Sequence, residues 1–131
     1  MMIKLLMIAA GGAIGALLRY GVSGSIQRIA GDTFPLGTLV VNVLGCFAIG
    51  MIGAAVAGPI LVKEEHRVFL LIGLLGSFTT FSTFGWETIE MLQQKQMLRA
   101  AVYVLANNAL ALTGVWIGLK LAEHWVENGA T

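Results

Sequence analysis

Between Gly76 and Glu87 the chain reads GSFTTFSTFGWE, which places five hydroxyls (Ser77, Thr79, Thr80, Ser82, Thr83), three phenylalanines (Phe78, Phe81, Phe84) and a carboxylate in one short run. The residues around it are almost wholly apolar, so each polar group must find a partner or bear the cost of an unsatisfied group in hydrocarbon. Three kinds of chemistry fit these residue types. Hydroxyls weaken a helical ladder, and the carbonyls freed by a break are good ligands for a small hard cation. Aromatic ring edges carry positive quadrupole and can partner an anion where water is excluded. Hydroxyls can donate to the same anion without binding it as a cation would. Each has a plainer reading. Ser and Thr in membrane helices often bond back to the carbonyl four residues earlier, phenylalanines usually fill a core, and Glu87 is either an intramembrane acid or an interfacial carboxylate, its position favouring the helix end.

On a regular helix Gly76, Thr79, Thr80, Thr83 and Glu87 share one face, Phe81 lies nearly opposite and Phe84 lies between. Facing that stripe against the same stripe of a second copy satisfies the polar groups most simply. The expectation is a hydroxyl-rich seam on a two-fold axis, with the phenylalanines turned outward toward flanking crevices.

Other segments carry matching polar residues. TLVVN places Thr38 and Asn42 one turn apart, and YVLANNALALTG puts Tyr103, Asn107 and Gly114 on one stripe with Asn108 turned elsewhere. These are either hydrogen-bond donors for an anion or glue between helices. Arg19 either snorkels to the surface or supplies positive potential at a pore mouth.

The elements that must position these residues follow from composition. The chain has 131 residues, 57% hydrophobic and 11% charged, with a mean hydropathy of +0.85. That balance describes an all-α polytopic membrane protein. Four apolar segments are long enough to span a bilayer, at about residues 5–26, 35–58, 68–92 and 98–125, forming one four-helix domain over residues 1–131. Asp32 or Thr33 is expected to cap the second helix and Gly58 with Pro59 to end it, followed by a charged loop, LVKEEHR. The first segment has no convincing cleavage site and is retained as a helix. Gly11 with Gly15, and Gly50 with Ala54, offer small-residue packing faces.

A net charge of +1 without a basic cluster excludes nucleic acid. His66 and His124 lack ligand spacing, Cys46 has no cysteine partner and reads as a small buried hydrophobe, and no phosphate loop follows a strand, so an enzyme is not expected. Four cationic residues fall on each side of the membrane: Lys4, Lys63, Arg67 and Lys120 against Arg19, Arg28, Lys95 and Arg99. The balance gives no preferred orientation. It reads as dual topology, with copies inserted both ways and paired antiparallel, or as a chance equality of flanking charges.

The stretches GGAIGALLRY, FPLGTLVVNVLG and, most specifically, GSFTTFSTFGWET resemble the Fluc or CrcB family of small dual-topology fluoride channels, and the likeness covers essentially the whole chain. The resemblance implies an antiparallel homodimer in the cell membrane with two fluoride pores and a central sodium ion held by carbonyls of a broken third helix. Carried over by position, the sodium carbonyls are those of Gly76 and Thr79. Phe81 and Phe84 would line the pore, with Thr83, Asn42, Tyr103, Asn107 and Arg19 along the path and Thr38, Thr80, Ser82 and Glu87 as further candidates. Ser77 stands where a second glycine is common, and Asn107 where a serine often appears. The expected activity is passive, selective fluoride export. The alternatives are a proton-coupled exporter, for which the first helix lacks the buried acid, and a non-transporting assembly subunit, which leaves the hydroxyl run unexplained.

Overall fold

The computed structural model describes residues 1–57 and 62–129. Among these the chain is helical throughout: α1 (Met2–Ala30), α2 (Leu36–Ala57), a single turn α3 (Glu64–Arg67), a π-helical segment (Val68–Leu75), α4 (Gly76–Phe78), α5 (Phe81–Gln93) and α6 (Met97–Gly129). From α3 to α5 these pieces form one interrupted span, Glu64–Gln93, so four spans are long and apolar enough to cross a membrane. The expected end of the second helix at Gly58 and Pro59 lies outside the described residues.

Three boundaries differ from the expectation, each for a local reason. The first helix runs on to Ala30 because Gly31, at φ 75°, turns the chain only there, its N–H bonding the Gln27 carbonyl. Gln27 then takes the capping role expected of Asp32 or Thr33. Its amide nitrogen donates to the carbonyls of Gly31 (2.6 Å) and Phe34 (3.1 Å), and its oxygen accepts from the N–H of Gly37 at 3.1 Å. Of the charged stretch expected as a loop, Glu64–Arg67 is helical, with acids in its first turn and His66 and Arg67 in its last, the arrangement that suits the helix dipole. Lys4 pairs with Glu64 at 2.6 Å and ties that turn to the start of α1.

Packing rests on glycine. A Cβ at Gly11 or Gly15 of α1 would collide with the backbone of the π segment at Phe69 or Leu74, and one at Gly73 would meet the Ile8 carbonyl. On the other side of the protein, Gly50 of α2 lies against Val115 while Gly118 of α6 lies against Phe47. The small-residue spacings are thus spent within the chain, joining α1 to the third span and α2 to α6. Replacing Gly15 with alanine forces those backbones apart and is expected to destabilise the fold by about 3 kcal/mol, read by thermal unfolding in detergent. An unchanged midpoint would show that the contact yields easily.

The core is small and lies between α2, α5 and α6: Leu39, Phe84, Met91, Ala100 and Tyr103, with Phe34 packed edge-on against Tyr103. Large apolar side chains elsewhere point outward, among them Leu17, Leu105, Trp116 and Trp125. In water that surface would be untenable; in a bilayer it is the solvated face.

Candidate functional site

The third span breaks at Thr79 and Thr80. Thr79 is extended at ψ 161° and Thr80 at φ −150°, so two residues leave the helical region before α5 begins. Side chains determine this local geometry. In an unbroken helix the Thr80 N–H would bond the Gly76 carbonyl; here it donates to Asn42 Oδ1 of α2 at 2.8 Å. Likewise the Thr83 N–H, the helical donor for the Thr79 carbonyl, goes instead to Thr80 Oγ1 at 3.2 Å, which makes Thr80 the N-cap of α5. The Gly76 and Thr79 carbonyls are therefore among those released from the ladder.

The projection onto a regular helix fails across this break. Thr80 is buried beneath Asn42, Ser82 and Thr83 are exposed, and Glu87 turns inward, so the five residues expected on one stripe are divided among three environments. The Thr79 hydroxyl bonds back to the Leu75 carbonyl at 3.2 Å, as Ser and Thr in membrane helices often do. The phenylalanines also separate. Phe81 is 81% exposed whereas Phe84 is 8% exposed and belongs to the core, although their centroids are only 5.4 Å apart. The expectation that both rings turn outward is corrected for Phe84, because the break rotates α5 so that Phe84 faces Tyr103.

A polar chain connects the break to the end of the bundle. Asn42 Nδ2 donates to the Thr80 carbonyl (3.1 Å) and to Asn107 Oδ1 (3.2 Å). Asn107 Nδ2 donates to the Tyr103 carbonyl at 3.2 Å. The Tyr103 hydroxyl donates to Glu87 Oε2 at 2.5 Å, and Thr38 Oγ1 donates to Glu87 Oε1 at 2.9 Å. Glu87 is thus no loose interfacial group but the terminus of a network drawn from three helices. On the other side of the break, Thr80 Oγ1 donates to Thr83 Oγ1 at 3.0 Å and lies 3.3 Å from Ser82 Oγ.

Two cavities flank this chain. A groove of about 230 Å³ is walled by Asn42, Thr80, Phe81, Phe84 and Asn107, with Cys46 and Asn108 at its margin. Cys46 is therefore a half-buried wall residue rather than a fully buried hydrophobe. Asn108, exposed, donates to the Val104 carbonyl. A polar vestibule of about 320 Å³ opens where the helices end, and Ser23, Gln27, Asp32, Glu87, Glu90 and Arg99 border it. Glu87 lines the vestibule, and the polar chain through Tyr103 and Asn107 links it to the groove. Gln27 and Arg99 were missed from sequence; the only signal for either was a polar side chain at the end of an apolar run.

Arg19 does not snorkel to the surface. From α1 it reaches the break, donating through Nη1 to the Thr79 carbonyl at 3.3 Å. Among the described residues no cluster of three or more His, Cys, Asp or Glu could hold a metal, so a cation at the break would depend on carbonyls. Gly76 and Thr79 have each lost a helical donor, and freed backbone oxygens of this kind suit a small hard cation.

The family described as CrcB-like protein, Camphor Resistance (CrcB), matches residues 6–119, which takes in all the residues of the break and of the polar chain. The chain belongs to the CrcB family. A relative from Geobacter sulfurreducens is 46% identical over 123 residues, covering 94% of this chain and 99% of the relative. One from Nitrosococcus oceani is 43% identical over 120 residues, covering 92% and 96%. One from Helicobacter pylori strain HPAG1 is 44% identical over 120 residues, covering 90% and 92%. All three bear the name fluoride-specific ion channel FluC. This CrcB chain is a multi-pass membrane protein whose four apolar spans account for nearly its whole length.

Proposed function

We propose that this chain is a fluoride-selective ion channel of the cell membrane that lets fluoride leave the cytoplasm down its electrochemical gradient; it is a channel and not an enzyme. The observation that carries the reading is the polar chain from Glu87 to Thr83, running beside Phe81 and Phe84 in a member of a family whose relatives are named as fluoride channels. Fluoride is small and strongly hydrated, so its path must supply donors without becoming a trap.

Counting protons divides the candidates into two roles. Both Nδ2 hydrogens of Asn42 are engaged, on Thr80 and Asn107, and the Tyr103 hydroxyl is engaged on Glu87. These residues hold the framework. The Thr83 hydroxyl proton has no acceptor among the described residues, and Asn107 Nδ2 spends one of its hydrogens on the Tyr103 carbonyl. We assign to those two donors, with the ring edges of Phe81 and Phe84, the role of replacing water around the ion. Arg19 contributes positive potential from the break, while Thr38 and Glu87 fix the vestibule end.

The functional unit we propose is an antiparallel homodimer with two pores and a central sodium ion. Its support is that Gly76, Phe81, Ser82 and Thr83 are exposed on a single protomer in the middle of a membrane span. Irregular backbone at that depth is stable only when covered by protein or water. A second copy facing the break would cover it and bring a second set of Gly76 and Thr79 carbonyls to the same place. Single cysteines placed at the amino terminus should label from both sides of the membrane; labelling from one side only would exclude dual topology.

The deciding experiment is efflux from liposomes containing the purified protein, read with a fluoride electrode under a potassium and valinomycin clamp. Rapid release of fluoride but not chloride is expected. No release from a verified dimer in sodium would leave the break as a structural seam in an assembly subunit. The exporter alternative has no support, since α1 contains no Asp or Glu.

A further inference from the structure

The Thr79 carbonyl has two claimants. Its helical donor is withdrawn to Thr80 Oγ1, and Arg19 Nη1 occupies it from α1. Rigid packing sets this contact. Gly15, one turn before Arg19, lies so near the third span that a Cβ would strike the Leu74 carbonyl and sit 3.1 Å from Phe78 N, while Gly45 of α2 presses on the Thr79 methyl from α2. Arg19 is half-buried and has no carboxylate partner; the ion pairs among the described residues are Lys4 with Glu64 and Lys120 with Glu123. Its charge therefore acts on the break without neutralisation.

We propose that Arg19 competes with a monovalent cation for the Thr79 carbonyl and so sets how tightly the break holds that cation. The inference rests on the sodium reading above. A carbonyl oxygen has two lone pairs and can accept from a guanidinium while ligating an ion, but the two like charges then repel across one atom where water screens poorly. In the absence of the ion, Arg19 keeps the carbonyl from becoming an orphaned acceptor. Arg19 is thus a positioning residue with two effects: it holds the break in shape and it weakens the cation site.

The test is thermal unfolding of the purified full-length protein in detergent, with sodium titrated against N-methylglucamine. An ion that binds only the folded state raises the midpoint in a saturable way, which yields the half-stabilising sodium concentration. Arg19→Gln removes the charge and should lower that concentration about tenfold. Arg19→Lys keeps the charge without the planar fork and should stay within about threefold of the wild type. Arg19→Met provides a second neutral variant should the glutamine variant fail to fold. An unchanged or higher half-stabilising concentration in a neutral variant, with a saturable wild-type response, overturns the proposal. So does failure of both neutral variants to fold at any sodium concentration, since a bound ion would satisfy the Thr79 carbonyl in place of Arg19. A wild-type midpoint indifferent to sodium refutes the sodium reading itself and removes the proposal with it.

Discussion

Replacing Phe81 with isoleucine is expected to cut fluoride efflux about a hundredfold, equivalent to roughly 2.7 kcal/mol on the barrier, while stability stays within about 0.5 kcal/mol of wild type. The two effects separate because the ring is 81% exposed on the single chain and carries little of its packing. Isoleucine fills similar space but has no quadrupole, so only the electropositive edge is lost. Phe84 makes the contrast. Its ring lies in the core 5.4 Å from Tyr103, so Phe84→Ile should lose flux and also about 1–2 kcal/mol of stability through altered packing. Efflux from liposomes and thermal unfolding of the same preparations distinguish the cases. Undiminished flux in Phe81→Ile would take that ring out of the conduction path.

Asn42→Asp should abolish measurable efflux and destabilise the fold by about 2–4 kcal/mol. The change is nearly isosteric and preserves the acceptor for the Thr80 N–H, but it removes both donors. An ionised oxygen would then face the Thr80 carbonyl and Asn107 Oδ1, two acceptors with nothing to accept from. Asn42→Ala removes all three bonds at once and should free the Thr80 N–H to return to the Gly76 carbonyl, straightening the span. A double-mutant cycle with Asn107→Ala should show coupling of about 1 kcal/mol, since the two amides share one bond. Normal conduction by Asn42→Asp would mean that the break is held by other means.

Much of this was legible in the sequence because hydropathy governs where a chain crosses a membrane. The four spans were legible, and the hydroxyl run correctly marked the break. The faces were not legible. A projection at 100° per residue assumes a continuous helix, and the bond from Thr80 N–H to Asn42 ends that continuity. It could not place Phe84 in the core or bring Glu87 to Thr38 and Tyr103. The π-helical geometry of Val68–Leu75 was equally hidden, since VFLLIGLL has no feature that sets it apart from an ordinary apolar helix. Arg19 shows a different limit: a lone arginine in an apolar helix announces a partner but not which one, and its partner is a backbone oxygen 60 residues away.

The origin of Glu87's partners bears on biogenesis. Thr38 lies on α2, already synthesised when the third span leaves the ribosome, whereas Tyr103 lies on α6, which follows it. A nascent chain ending before Met97 therefore carries a carboxylate with one donor in place of two, and an opened backbone whose brace, Asn42, stands on the preceding helix. The third span cannot enter lipid as an independent unit at low cost. It has to leave the translocon alongside α2, with the last helix closing over the acid as translation finishes.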